Sequence, residues 1–342
     1  MSAEHDIGSI DKQWEQNPQL IRQFLDHRPD YEQLCSEVAY VLRSRLKKAG
    51  IEIAAVTFRA KTLASFLDKI RRKTYSDPLS EVTDFAGVRV VCLYTPDTNA
   101  VQKLIEDEFE LVEEIDKLKE KSAEEFGYSA KHFIVRLGKR MSGARYDDLK
   151  KLVCEIQVRT VLQDAWAIIQ HHLVYKREAD VPETLQRKLN SLSGLLETAD
   201  DQFDSIRKER LAYLKSLERS KGEPSDFLNA DFNLDSFAAY LKWKFPQLKP
   251  ELFPGQLKVV FGNMSKSEHP TLKELDDIVE SSKSIFPKIE GAWPELMKDK
   301  DKFLSAAHLC LIAVGIHFPR YLEKGSKIAG ITRSLIEKHK MW

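Results

Sequence analysis

Apolar positions in the first part of the chain follow helical spacing. They recur every fourth residue at Leu34, Val38, Leu42 and Leu46. This spacing places them on one face and predicts a helix over residues 31–48 that ends at Gly50. Helical spacing returns over residues 63–73.

Short runs of apolar and β-branched residues predict strands between the helical segments. The predicted strands cover residues 56–61, 88–94, 109–115, 132–137 and 152–160. Further helices are predicted at about residues 98–108 and 161–176. Because helices and strands alternate, we expect an α/β fold of the α+β kind, with one mixed sheet flanked by helices.

The pattern changes in the second half of the chain. Residues 182–218 form a long amphipathic stretch, of one or two helices, that could pack on the sheet or on another subunit. Residues 220–225 have the composition of a linker. Beyond it, pairs of an aromatic residue with proline indicate a separate, mostly helical domain. We therefore divide the chain into an N-terminal helical segment, a core, amphipathic helices and a C-terminal domain, with bounds 1–50, 51–180, 181–219 and 227–342.

Composition narrows the class of protein. The 342 residues include 53 Lys plus Arg and 53 Asp plus Glu, so no net charge draws the whole chain to nucleic acid or membrane. The four cysteines are scattered, without zinc or disulfide spacing, and indicate reduced thiols in the cytoplasm. The N-terminus lacks the pattern of a signal peptide, and the longest apolar stretch, about residues 306–318, is too short for a membrane span.

Four polar residues near the start of the core could form a phosphate clamp. Arg59 and Lys61 share one strand face because side chains alternate along a strand. Ser65 and Lys69 follow at i and i+4 on the next predicted helix. Taken alone, this pattern is more typical of a solvated basic helix start. A triphosphate, however, needs such a set of cations.

Carboxylates occur at two strands that could carry the rest of such a site. Asp84 precedes the strand that contains Arg89. Glu155, Gln157 and Arg159 share one face of the strand over residues 152–160. Polar groups on a buried strand face are costly unless they contact a ligand or form a network. Two such carboxylates are what a magnesium-held nucleotide triphosphate requires.

The order of these motifs resembles the synthetase domain of the RelA/SpoT family, which makes the alarmones (p)ppGpp. The resemblance rests on four features. The first two are the Arg-x-Lys pair at Arg59 and Lys61, followed by Ser65 and Lys69, and the acid Asp84 before a strand. The other two are Gly127-Tyr128, with His132 four residues after the tyrosine, and the run Glu-Ile-Gln-Val-Arg-Thr that begins at Glu155. It covers roughly residues 35–215 and is closest to the synthetase-only, small alarmone synthetase branch. It implies a nucleotidyltransferase-like fold and transfer of the β,γ-pyrophosphate of ATP to the 3'-hydroxyl of GDP or GTP, with release of AMP.

The resemblance also implies residue roles. Asp84 and Glu155 would be catalytic and would hold Mg²⁺, with Glu155 polarising the attacking hydroxyl. The ATP-binding residues would be Arg59, Lys61, Ser65, Lys69 and Arg89. On the acceptor side, Tyr128 would stack on guanine, and His132, Gln157 and Arg159 would complete the site.

The acceptor half departs from the family pattern and leaves alternatives open. Glu124, Glu125 and Phe126 stand where the family usually has a lysine and an asparagine before Gly-Tyr. One alternative is a toxic synthetase that pyrophosphorylates the 3' end of tRNA, with a cationic acceptor side and a fused C-terminal inhibitor. The cations of that side would be Lys131, Lys139, Arg140 and Arg145. Another is a nucleotide-binding sensor without catalysis. We also expect a homo-oligomer through residues 181–219 and a regulatory ligand or partner for the C-terminal domain.

Overall fold

The computed structural model describes residues 17–116, 130–173, 182–250, 270–296, 304–318 and Arg333. The chain forms two compact units, Met1–Ile206 and Arg207–Trp342. The division falls inside one long helix rather than at the predicted linker over residues 220–225, where the helix gives way to a short turn.

The first unit is built on one mixed sheet. Its elements in chain order are α1 (Pro18–Ala49), β1 (Ile53–Ala60), α2 (Leu63–Arg72), α3 (Pro78–Glu81), β2 (Ala86–Cys92), α4 (Thr95–Glu108), β3 (Phe109–Asp116), β4 (Lys131–Leu137), β5 (Cys154–Thr160) and α5 (Val161–Leu173). The five strands lie in the order β1-β2-β5-β4-β3. Strands β2 and β5 are parallel, and the other neighbours are antiparallel. The predicted mixed sheet flanked by helices is confirmed.

One face of the sheet is apolar and packs against α1 and α4. The helical stripe of Leu34, Val38, Leu42 and Leu46 is buried on this face against strand residues such as Val88 and Ile156. Helix α1 begins thirteen residues before the predicted start and contains Pro29. The early start was missed because Pro29, which normally marks a helix boundary, separates the apolar residues before it from the stripe that begins at Leu34. Gly50 ends the helix in the left-handed conformation, with φ of 66°.

The other sheet face carries the polar residues of the predicted motifs. Along β5, Cys154, Ile156 and Val158 are buried, while Glu155, Gln157 and Arg159 are half-buried on the opposite side. Register brings the polar residues of neighbouring strands onto this face: Arg89 pairs with Gln157, Arg59 with Gly87, and His132 with Gln157.

The stretch over residues 182–218 is one helix, α6 (Glu183–Ser220). Its part in the first unit buries Leu189 together with the polar residues Ser193, Asp200 and Asp204, while several of its apolar side chains are exposed. Those exposed side chains are Leu185, Leu192, Leu195, Phe203 and Ile206. The Thr160 hydroxyl donates a hydrogen bond of 2.6 Å to the buried Asp200 carboxylate, so α6 is attached to the end of β5. The apolar positions of α6 in the first unit are thus divided, since Leu189 is buried and the five listed above are exposed.

The described elements of the second unit are helices, with one isolated β-bridge between Asp231 and Thr271, in line with the expected mostly helical C-terminal domain. It contains α7 (Pro224–Leu228), α8 (Leu234–Lys244), α9 (Leu272–Ser282), α10 (Phe286–Leu296) and α11 (Ala306–His317). Residues 306–315 of α11 are all buried, so this helix forms the centre of the unit. Among the described helices, none has the length and apolarity needed to cross a membrane.

Candidate active site

A cavity of about 300 Å³ opens on the polar face of the sheet. Its walls come from β1, the start of α2, the segment before β2, β2 itself and β5. Seven residues singled out in the sequence line it: Arg59, Lys61, Ser65, Asp84, Arg89, Glu155 and Gln157. Residues that are up to 98 positions apart in the chain therefore meet in one cavity.

Asp84 is held at the cavity wall by the aromatic residue that follows it. Phe85 is buried and packs against Phe24, Tyr31 and Phe66, with ring centroids 4.9 to 5.9 Å apart. The carbonyl of Phe85 also accepts a 2.8 Å hydrogen bond from the Lys61 backbone N–H. The aromatic cluster thus fixes the segment that carries Asp84 beside β1 and α2.

Both carboxylate oxygens of Asp84 accept a hydrogen bond from a lysine. The Lys61 Nζ lies 2.7 Å from Oδ2, and the Lys69 Nζ lies 2.8 Å from Oδ1. Burial acts to raise the pKa of Asp84, but the two lysines outweigh it and hold the pKa below its ordinary value. Asp84 is therefore an anion that forms ion pairs with both Lys61 and Lys69. Phosphates bound in the cavity would compete with Asp84 for these two lysines.

Glu155 is bound on both sides by polar neighbours. The Nδ1 atom of His132 lies 2.7 Å from its Oε1, and the Gln157 amide donates to its Oε2 at 3.2 Å. Burial and the charge of Asp84 act to raise the pKa of Glu155, whereas His132 and Gln157 lower it, with a net decrease. Asp84 and Glu155 thus line the same cavity, and the charge of Asp84 acts on the Glu155 carboxylate.

Two arginines lie near each other at the end of this polar face. Arg159 donates a 2.8 Å hydrogen bond to the Gln157 side-chain oxygen. The Asp164 Oδ1 lies 2.9 Å from Arg89 and 3.6 Å from Arg159. Burial, followed by the charge of Arg89, lowers the pKa of Arg159, while Asp164 counters both. Asp164 received no role from the sequence, although its position in the turn after β5 could have indicated one.

The two cavity carboxylates fit a magnesium ion. Among the described residues, no group of three or more His, Cys, Asp or Glu side chains could hold a metal by itself. Mg²⁺, however, is usually bound by one or two carboxylates, with phosphate oxygens and waters supplying the other ligands. A divalent cation would also offset the charge of Asp84, which acts to raise the pKa of Glu155. Asp84 and Glu155 are thus the residues that would hold the metal.

The other described residues predicted for the site do not line the cavity themselves. Lys69 and His132 reach the site through Asp84 and Glu155, and Arg159 reaches it through Gln157. Tyr128 and residues 124–126 lie outside the described residues. Thr57 and Phe58 also line the cavity, although the sequence assigned them no role.

Two of the cations expected on an RNA-binding side have other partners. Lys131 Nζ donates to the side chains of Asn99 and Gln102 at 2.7 and 2.8 Å. Arg145 forms an ion pair with Glu37 of α1 at 2.6 Å. Since Lys131 precedes His132 on β4, its side chain leaves the sheet on the face opposite the site.

A sheet face that combines two carboxylates with a group of cations has the composition expected of a site for phosphate chemistry, and the chain is similar to known pyrophosphokinases. Residues 58–180 match the model of the region found in RelA / SpoT proteins. GTP pyrophosphokinase YjbM of Bacillus subtilis is 33% identical over 163 residues, which are 46% of this chain and 73% of that protein. GTP pyrophosphokinase YwaC of the same organism is 29% identical over 157 residues, or 44% of this chain and 72% of that protein.

Solved structures with similarity to this chain include small alarmone synthetase 1 from Bacillus subtilis bound to its product pppGpp. That structure is 28% identical, with a TM-score of 0.45, and the match covers 58% of this chain and 99% of the other.

The chain belongs to the RelA/SpoT family. The enzyme class expected from the sequence, a pyrophosphokinase, is confirmed by these relatives.

Proposed function

We propose that this protein transfers the β,γ-pyrophosphate of ATP to the 3'-hydroxyl of GDP or GTP and releases AMP. The observation that carries the proposal is one cavity that combines Arg59, Lys61 and Arg89 with the carboxylates Asp84 and Glu155. The names of the relatives, GTP pyrophosphokinases, support a guanine nucleotide as one substrate.

The donor side would consist of the cations around Asp84. Arg59, Lys61, Lys69 and Arg89 bind the triphosphate of ATP, with Ser65 at the start of α2. Phosphoryl transfer depends on positioning and on neutralising charge, which these residues supply. As the phosphates draw Lys61 and Lys69 toward themselves, the Asp84 oxygens become available as ligands. Mg²⁺ on Asp84 and Glu155 would offset the charge of the transferred group.

The acceptor side would be organised around Glu155. The 3'-hydroxyl oxygen of the acceptor attacks the β-phosphorus of ATP, and the bond between that phosphorus and the oxygen bridging to the α-phosphate breaks. Glu155 polarises the hydroxyl by accepting its hydrogen bond, and the hydroxyl proton passes by way of Glu155 to solvent as the oxygen–phosphorus bond forms. His132 and Gln157 fix the carboxylate for this contact. AMP leaves with the bridging oxygen. Tyr128 is proposed to stack on the guanine base.

The two alternative functions receive less support. Transfer to tRNA would use a cationic acceptor side, but Lys131 is bound by Asn99 and Gln102, and Arg145 by Glu37. A sensor without catalysis would not need the two carboxylates Asp84 and Glu155 in the cavity.

The test is incubation of the full chain with γ-labelled ATP, Mg²⁺ and either GDP, GTP or deacylated tRNA. We expect label on the guanine nucleotides, none on tRNA and none when Asp84→Asn replaces the wild type. Label on tRNA alone would contradict the proposal in favour of the toxin-like alternative. Binding of ATP without any labelled product would favour the sensor.

A further inference from the structure

We infer that Asp164 is a positioning residue that sets the two arginines of the site, and that ATP binding depends on it through Arg89. This inference rests on the proposed function, because Arg89 is assigned there to the ATP donor. Asp164 itself lines no part of the cavity.

The contacts of Asp164 distinguish it from an ordinary surface acid. Its Oδ1 atom forms ion pairs with Arg89 at 2.9 Å and with Arg159 at 3.6 Å. The side chain of Asp164 is only 18% exposed, and that of Arg159 11%. A single carboxylate oxygen therefore lies between two guanidinium groups, of which that of Arg159 is largely shielded from water.

The positive charges of Arg89 and Arg159 explain why an anion is needed between them. Arg89 and Arg159 project from neighbouring parallel strands on the same sheet face, and the charge of Arg89 acts to lower the pKa of Arg159. Without the anion between them, repulsion would drive the more exposed Arg89 away from its partner. The Arg89 side chain is 31% exposed, so it has room to move.

Local structure explains why Asp164 reaches both arginines. Helix α5 begins directly after β5. At this junction the Gln163 side-chain oxygen accepts a hydrogen bond from the Thr160 backbone N–H, and the Thr160 hydroxyl accepts one from the Gln163 backbone N–H. The first turn of α5 is thereby held over the end of the strand that carries Arg159. From Arg159 the contacts continue through Gln157 to Glu155, which joins Asp164 to the acceptor side as well.

An acid in the first turn of a helix also stabilises that helix, and the experiment must separate this effect. Asp235 supplies a matched control. It lies in the first turn of α8, forms an ion pair with Arg210 at 2.8 Å and lines no part of the cavity. Asp235→Asn therefore removes the same kind of charge and the same kind of pair.

The first measurement is binding of α,β-methylene-ATP with Mg²⁺ to the full chain by calorimetry. We expect Asp164→Asn to weaken binding by about tenfold, because misplacement of a positioning group is costly. Asp164→Glu should restore most of this loss, and Asp235→Asn should leave binding unchanged. In an Arg89→Ala background, Asp164→Asn should cause little additional loss. Wild-type binding by Asp164→Asn, or an equal loss with and without Arg89, would overturn the inference.

A second measurement needs no nucleotide. Phenylglyoxal modifies accessible arginines, and peptide mass spectrometry can follow Arg89 alone. We expect faster modification of Arg89 in Asp164→Asn than in the wild type or Asp235→Asn, with unchanged circular dichroism. An unchanged rate would overturn the inference. If the wild type made no labelled product, the proposed function would fail, while the Arg89 rate would still decide the role of Asp164.

Discussion

The His132 Nδ1 atom lies 2.7 Å from Glu155 Oε1, so a histidine of β4 holds a carboxylate of the neighbouring strand β5. The Gln157 amide holds the other oxygen of the same carboxylate. Glu155 is therefore oriented from two sides before any substrate binds, which reduces the rearrangement that catalysis would require.

Replacement of His132 should lower turnover more than it lowers stability. Loss of such an orienting partner typically costs about 10- to 100-fold in activity. We therefore expect His132→Ala to lower kcat by about this factor, and His132→Gln, which keeps a donor, to lose less. Steady-state kinetics with thermal unfolding as a control will check this. Equal activity of His132→Ala and the wild type would contradict the assigned role.

The carboxylates of the cavity should be essential for transfer but not for folding. Glu155→Gln and Asp84→Asn preserve shape and remove charge, so we expect both to abolish product formation. Asp84→Asn should also leave Lys61 and Lys69 without their anion. Product formation at saturating Mg²⁺, measured beside the circular dichroism of each variant, is the check. Near wild-type product from either variant would exclude that residue as a metal ligand.

Tyr128 is expected to act through its ring. Tyr128→Ala should weaken binding of GDP by about 1 to 3 kcal/mol, the usual contribution of base stacking, whereas Tyr128→Phe should keep most of it. Binding of α,β-methylene-ATP should be unchanged in both variants. Calorimetry distinguishes the outcomes, and equal losses in the two variants would indicate a role for the hydroxyl group.

Much of this architecture follows from the sequence, and the exceptions have physical reasons. Strand and helix periods predicted the sheet and its flanking helices. The grouping of Asp84 with Glu155 followed from the motif order. The sequence did not predict contacts that depend on strand register and on side-chain direction. Examples are the ion pair of Asp164 with Arg89 and the hydrogen bond of His132 with Glu155.

Helix α6 shows what periodicity leaves open. Its leucine spacing predicted an amphipathic helix that packs on the sheet or on another subunit. Within the first unit Asp200 is buried through a hydrogen bond with Thr160, while Leu192 and Ile206 are exposed. Periodicity reports which residues share a helix face but not which face the tertiary structure covers. A specific polar contact outweighed the apolar pattern at this position.

The second unit is proposed to regulate the first and to supply no catalytic residue. All cavity-lining residues lie between Thr57 and Gln157. A chain of residues 1–219 should therefore retain transferase activity, measured with the same labelled ATP as the full chain. Loss of activity in a truncated chain that remains soluble and folded would contradict this division of roles.

A half-buried ion pair should make the second unit sensitive to alkaline pH. Lys244 lies 2.5 Å from Asp276 and from Glu280, and the Tyr240 hydroxyl donates to Asp276 at 2.8 Å. Burial acts to lower the pKa of Lys244, but the two carboxylates outweigh it and raise the pKa above its ordinary 10.5. The raised pKa means that this stabilisation is complete below pH 10.5 and is lost as the pH rises through the higher folded value.

Lys244→Met tests that expectation. It should lower the free energy of unfolding of this unit by about 2 kcal/mol at pH 7, because it leaves a shielded carboxylate without its cation. The difference from the wild type should shrink above the ordinary lysine pKa. Denaturant titrations at a series of pH values will measure it, and a difference that grows with pH would show the sign to be wrong.

The central claim is that pyrophosphate moves as one unit from ATP to a guanine nucleotide. The most direct measurement is ³¹P NMR of the full chain with ATP, GTP and Mg²⁺, which follows every phosphorus atom. We predict AMP and a guanine nucleotide with a 3'-diphosphate, formed in equal amounts. ADP or inorganic phosphate in place of AMP, or AMP without a 3'-diphosphate, would contradict the account.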